Sequence, residues 1–172
     1  MNLLDYLPGV PNFPKPGIVF RDISPLLGDP KAFRYAIEQM AALAQGWDYT
    51  HIVGIESRGF IFASALAHVQ HKSLVLVRKP GKLPLATHKE AYGLEYGNDS
   101  LEIQASSISA QSRVLIIDDV LATGGTILAA ARLIEQAGAK VSGGVCLLEI
   151  KGLNGRKELS KIGLQIKSIL IS

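Results

Sequence analysis

Residues 114–126 read VLIIDDVLATGGT. An apolar run meets two adjacent carboxylates, Asp118 and Asp119, and then a small-residue stretch, Ala122-Thr123-Gly124-Gly125-Thr126. The stretch joins a strand end to a helix start, where the first backbone N–H groups lack internal partners. Glycines let such groups turn into an anion-binding hollow, and Thr123 and Thr126 add hydroxyl donors. A monophosphate fits there. Carboxylates beside a phosphate repel it unless they do other work, either holding Mg²⁺ or accepting hydrogen bonds from sugar hydroxyls. A phosphate socket with hydroxyl acceptors beside it describes a site for a sugar 5-phosphate. A capped helix start with two exposed aspartates explains Asp-Asp alone, but not apolar strand, acid pair and Thr-Gly-Gly-Thr in series. A Walker A loop is absent: its nearest match, Gly54 to Gly59, continues as Phe60-Ile61, and no G-x-G-x-x-G occurs.

The elements that must position these residues follow from the apolar patterning. THIVGI (50–55), SLVLVR (73–78), RVLIID (113–118), KVSGGVCLLEI (140–150) and LQIKSILI (164–171) read as strands. Between them lie helical stretches, RGFIFASALAHVQ (58–70) and GTILAAARLIEQA (125–137), the second ended by Gly138. Asp29-Pro30 marks an N-cap and first position for a helix that stops at Gly46. Residues 1–28 are rich in Pro and Gly and read as an arm with short extended pieces. Residues 79–100 lack a burial pattern, and the turn signal Gly97-Asn98-Asp99 makes them a hairpin or flexible flap. Continuous apolar strands alternating with helices predict an α/β fold, a mostly parallel central sheet flanked by helices. Ligands in such sheets gather beyond the carboxyl ends of the strands, where the acid pair and residues 54–59 fall.

The totals bound the function. The chain has 172 residues, 48% hydrophobic and 19% charged, which favours one domain with a real core. No apolar run is long enough to span a membrane, and the N-terminus lacks a signal-peptide pattern. The net charge of +3 and the aromatic content of 6% suit a small anionic ligand, not nucleic acid. The single cysteine, Cys146, excludes an internal disulfide, reads as a small buried hydrophobe, and points to a cytoplasmic setting. His68 and His71 stand i,i+3 on a helix end without a third ligand for a metal.

The acid pair and loop resemble the phosphoribosyl-diphosphate motif of the type I phosphoribosyltransferases. FPKPGIVFRDISPLL (13–27), GIESRGFIFASALA (54–67), VRKPGKLP (77–84), LEYGNDSLEIQ (94–104) and LLEIKGLNGRKEL (147–159) look like the corresponding segments of the adenine phosphoribosyltransferases. The resemblance covers nearly the whole chain, in order. It implies one phosphoribosyltransferase domain over 1–172, with residues 1–28 as a hood-like arm carrying the base pocket and 79–100 as the flap. It implies transfer of the phosphoribosyl group from phosphoribosyl diphosphate to adenine, giving AMP and pyrophosphate, in a homodimer.

Residue roles follow from the same resemblance. Residues 122–126 hold the 5-phosphate, and Asp118 and Asp119 meet the ribose. Arg58, Lys79 and Lys82 take the pyrophosphate, with Mg²⁺ bridged through ligand and water and no direct metal ligand. Val19, Phe20 and Arg21 form the adenine pocket, Phe20 by stacking. Glu95 is the general acid/base, and Tyr96 packs on the ribose or flap. Pro80, Leu85 and Asn98-Asp99-Ser100 depart from the family's usual residues, which bears on flap stiffness and diphosphate binding. A phosphoribosyltransferase for hypoxanthine, guanine, xanthine or orotate is the nearest alternative. FRDISPLL, with Glu95 in LEYG, argues against it. A non-catalytic sensor of phosphoribosyl diphosphate usually carries a DNA-binding domain, for which this length leaves no room.

Overall fold

Asp29 starts the first long helix as its position predicts. Its Oδ1 accepts from the backbone N–H of Lys31 at 2.8 Å and of Ala32 at 2.9 Å, satisfying donors that a helix start leaves open. The computed structural model describes residues 1–93 and 99–172. They form two compact units, Met1–Gln39 and Met40–Ser172.

The first unit holds more regular structure than its Pro and Gly content suggests. A 3₁₀ turn, Leu3–Tyr6, is capped by the Asn2 side chain, which accepts from Leu4 N at 3.3 Å. Strands β1 (Gly9–Pro11) and β2 (Val19–Arg21) pair antiparallel, with Val10 opposite Phe20. A short helix, α1 (Ser24–Gly28), begins behind Asp22, whose carboxylate accepts from Ser24 N and Oγ at 2.9 and 2.7 Å. Helix α2 spans Pro30–Ala44 and runs through the division between the units.

The second unit alternates as expected. It contains β3 (His51–Ile55), α3 (Gly59–Gln70), β4 (Ser73–Arg78), β5 (Thr87–Tyr92), β6 (Asp99–Gln104) and β7 (Arg113–Leu121), then α4 (Gly125–Gln136), β8 (Lys140–Glu149), α5 (Gly155–Ser160) and β9 (Ile166–Ile171). Seven strands form one sheet in the order β5-β6-β4-β3-β7-β8-β9. The run from β4 to β9 is parallel, and the β5–β6 pair adds antiparallel to the β4 edge. Strands β5 and β6 are therefore built into the sheet as an antiparallel pair, from Thr87–Gln104 to Tyr92–Asp99. Gly97 and Asn98 of the expected turn lie outside the described residues.

Each sheet face has its own helix. Val53 and Ile116 are neighbours in the ladder and belong to the core with Ile127, Ala130 and Ile134 of α4. Gly54 and Ile117, one step on, face α3, and a Cβ on Gly54 would stand 2.7 Å from the Ala63 Cβ. Glycine at 54 lets α3 lie close to the strand. The two glycines inside β8 have a similar cause: a Cβ on Gly143 would stand 2.7 Å from the Trp47 ring, and one on Gly144 would stand 3.2 Å from Ile166.

Candidate active site

β7 is the central, most apolar strand, and it does not stop at the acid pair. The strand expected to end at residue 118 runs on to Leu121. Pairing with β8 continues through Val120–Leu148 and Leu121–Glu149, so the ladder holds the backbone straight past both charges. Asp118 and Asp119 are consequently buried, 8% and 5% exposed.

Asp118 Oδ1 accepts from the backbone N–H of Asp119 at 2.9 Å. Burial, and then the charge of Asp119, push the Asp118 carboxyl well above the usual carboxylate range; the Asp119 N–H and the Arg58 charge oppose them more weakly. Gly59, the first residue of α3, abuts this carboxylate: a Cβ there would stand 2.9 Å from Asp118 Oδ1. Arg58, just before it, brings Nε to 2.7 Å from Asp119 Oδ2. That contact is an ion pair without hydrogen-bond alignment, and Asp119 Oδ2 is a buried acceptor with no aligned donor. A hydroxyl group could supply one.

The small-residue loop follows directly. Gly124 adopts φ 86°, the left-handed conformation that glycine tolerates, and stands at the N-cap of α4 without a side-chain cap. Residues Val120, Leu121, Ala122, Thr123, Gly124, Thr126 and Ile127 line a hollow of about 50 Å³. The helix start therefore keeps uncapped donors beside a hollow with two threonines, an arrangement that takes an anion. Gly155 supports the loop from behind: a Cβ there would collide with Ala122 O and stand 3.0 Å from Gly124 N. α5 is in turn tied down where Arg156 Nε donates to both oxygens of buried Glu149, at 3.1 and 3.0 Å. Tyr92, at the end of β5, brings its hydroxyl to the Thr126 side chain. Burial first, then Asp99, raise its pKa.

The stretch after β4 gathers on Glu56. This side chain is 7% exposed, and its Oε2 accepts from the Lys79 backbone N–H at 2.8 Å. Arg78 Nε lies 3.4 Å away, and Lys82 Nζ pairs with Oε1. Burial pushes the Glu56 carboxyl up, but hydrogen bonds from Lys82 and Lys79 and the charges of Lys82 and Arg78 outweigh it and hold the group below its ordinary value. The Lys82 ammonium and the Lys79 backbone are thus brought to one carboxylate, while Arg58 stands at the acid pair. Sequence reading overlooked Glu56, Arg78, Tyr92 and Gly155. Glu56 carried a usable signal: like Asp118, it is an acid directly after an apolar run. Tyr92 and Gly155 act through contacts across the sheet and behind the loop, which no local pattern encodes.

Val19, Phe20 and Arg21 form β2 in the first unit. The Phe20 ring meets Phe13 edge-on at 5.1 Å, and Arg21 donates to Leu7 O at 3.2 Å. Val19 is 59% exposed. Glu95 and Tyr96 lie outside the described residues. Among the described residues, no group of three or more His, Cys, Asp or Glu side chains gathers to hold a metal. Asp118 and Asp119 are the carboxylates that the described residues place at the site, and carboxylate oxygens are the donor type that Mg²⁺ takes.

A mostly parallel sheet with buried acids near the end of its central strand and an uncapped small-residue loop after them defines the class. Residues 30–170 match the phosphoribosyl transferase domain family. An adenine phosphoribosyltransferase of Polynucleobacter asymbioticus is 64% identical over 172 residues, covering all of both chains. The crystal structure of adenine phosphoribosyltransferase from Thermoanaerobacter pseudethanolicus superposes with a TM-score of 0.92 at 43% identity, covering 99% of this chain and 98% of that one. The enzyme of Giardia lamblia, solved with 9-deazaadenine, gives 0.92 at 35% identity over 100% and 98% of the two chains. The chain belongs to the adenine phosphoribosyltransferase family.

Proposed function

We propose that this chain transfers the 5-phosphoribosyl group from phosphoribosyl diphosphate to adenine, forming AMP and releasing pyrophosphate in purine salvage. The observation that carries the reading is the buried pair Asp118 and Asp119 set directly before an uncapped phosphate loop. In the reaction a bond forms between a ring nitrogen of adenine and C1 of the ribose. The C1–oxygen bond to diphosphate breaks, and the base loses a proton.

Residues 122–126 bind the 5-phosphate. Asp118 and Asp119 accept from the ribose hydroxyls and stabilise positive charge on the sugar as the bond to diphosphate opens. Support for this comes from the buried acceptor at Asp119 Oδ2. Arg58, Lys79 and Lys82 bind the departing pyrophosphate. Mg²⁺, held chiefly by ligand oxygens and water, supplies charge neutralisation to the diphosphate when bound. Val19, Phe20 and Arg21 hold adenine, the base whose analogue accompanies the Giardia lamblia relative. Glu95 takes the proton, Tyr96 packs on the ribose, and closure of residues 79–100 excludes water.

The enzyme is a cytoplasmic homodimer in this reading. No described helix is long and apolar enough to cross a membrane, and the free, buried thiol of Cys146 suits a reducing compartment. Leu74 and Leu76 lie on the α3 side of the sheet, paired with Ile52 and Gly54. They remain exposed, as do Ile61 and Val69 of α3. Such an apolar face suits a second copy.

The test offers adenine, hypoxanthine, guanine and orotate separately with Mg²⁺ and phosphoribosyl diphosphate, and follows nucleotide and pyrophosphate. AMP from adenine alone is the expected result. A nucleotide from another base overturns the pocket at Val19, Phe20 and Arg21. Binding of the diphosphate without any product overturns the catalytic reading.

A further inference from the structure

Glu56 follows β3 and is anchored to its neighbour strand, its backbone N–H donating to Val77 O at 2.9 Å. Both carboxylate oxygens turn to one short stretch of chain. Oε1 meets Lys82 Nζ, and Oε2 meets the Lys79 N–H at 2.8 Å and Arg78 Nε at 3.4 Å. The stretch is pinned twice more. Gly81 N donates to Glu102 Oε2 at 3.2 Å, and Arg78 Nη1 donates to Lys82 O at 3.4 Å. Exposed ion pairs are common and weak. This one differs because its carboxylate is 7% exposed, and because every partner comes from residues 78–82. Two of those residues, Lys79 and Lys82, are the diphosphate cations of the reading above.

We propose that Glu56 is a positioning residue for diphosphate binding: it holds the backbone and cations of residues 78–82 in the arrangement that receives the leaving group. The inference rests on the assignment of Lys79 and Lys82 to pyrophosphate. A free lysine loses rotamer entropy when it is fixed on a ligand. Lys82, already held by Glu56, has lost much of it beforehand, so the ligand binds more tightly. The pairing does not use up the cation. An ammonium group has three N–H donors, and Lys82 remains 48% exposed while paired with Glu56. One acid among the cations of Arg78, Lys79 and Lys82 also limits their mutual repulsion and leaves the cluster positive.

The experiment compares wild type, Glu56→Gln and Glu56→Asp for pyrophosphate and AMP affinity by calorimetry, with KM and kcat for phosphoribosyl diphosphate. Glu56→Gln is expected to weaken pyrophosphate and to raise that KM about tenfold. AMP affinity, melting temperature and kcat at saturation should stay near wild type, because AMP carries no diphosphate. Glu56→Asp, which keeps the charge, should restore part of the loss. Pyrophosphate bound equally or more tightly by Glu56→Gln overturns the proposal, since the acid would then be idle or a competitor. Equal losses for AMP and pyrophosphate with a lowered melting temperature also overturn it, in favour of a structural role. If wild type binds AMP but not pyrophosphate, the assignment of Lys79 and Lys82 itself fails, and that is visible before any substitution.

Discussion

Asp118 and Asp119 are adjacent in sequence yet face different surroundings, because successive side chains of a strand point to opposite faces. Asp118 bonds to the next backbone N–H, and Asp119 meets the Arg58 guanidinium. Their chemistry separates accordingly. Asp118 has its pKa raised by burial and by its neighbour's charge, so the folded state binds its proton more tightly than the unfolded chain. Stability is therefore expected to fall as pH rises above the ordinary carboxylate value of 3.8, until Asp118 is ionised in the folded state. Asp118→Asn should remove that decline in melting experiments across pH; an unaltered profile would mean that another group causes it. Asp119→Asn should lower turnover by about 10²-fold while leaving the melting temperature near wild type. Turnover at the wild-type level would exclude Asp119 from the chemistry.

At the level of elements, the loop of residues 122–126 is shaped as much from behind as by its own residues. Its glycines were legible, since a small-residue stretch after an apolar strand has few other uses. Gly155 was not legible, although it lies against Ala122 and Gly124, because the contact joins α5 to the start of α4. Gly155→Ala would drive a methyl group into the Ala122 carbonyl. Overpacking of this kind costs about 1–3 kcal/mol, and here it would move the loop. AMP and ribose 5-phosphate affinities should drop about tenfold, with pyrophosphate affinity little changed, as read by calorimetry. Full AMP affinity in a folded variant would show that the loop absorbs the shift. The short helix α1 and the 3₁₀ turn Leu3–Tyr6 escaped sequence reading for a related reason. Asn2 caps the turn and the Asp22 carboxylate accepts from Ser24 where the helix begins, and both elements are too short to show a period.

At the scale of the molecule, one sheet serves several purposes. Its parallel strands place Asp118 and Asp119 near the end of β7 and Glu56 directly after β3, and its antiparallel edge is the β5–β6 pair. The α3 side leaves Ile61, Val69, Leu74 and Leu76 exposed. A homodimer through this face predicts that Leu76→Glu halves the mass measured by light scattering, while wild type runs at twice the chain mass. A wild-type protein that runs at a single chain mass sinks the dimer assignment; a variant that stays dimeric moves the interface elsewhere.

Hydrophobic periodicity and glycine placement are local properties of the chain, so the alternation of strands and helices outside residues 1–28 and 79–104, the mostly parallel sheet, the acid pair and the small-residue loop could be read from the residues alone. The cap at Asp29 was legible for the same reason. That β7 runs past its acids was settled by packing, since the β8 ladder, and not the residues themselves, holds that backbone. Packing also decided that Arg58 meets Asp119, and that Glu56 collects residues 78–82. Ion pairs between distant residues depend on which strands become neighbours, and that is settled by packing rather than by any spacing along the chain.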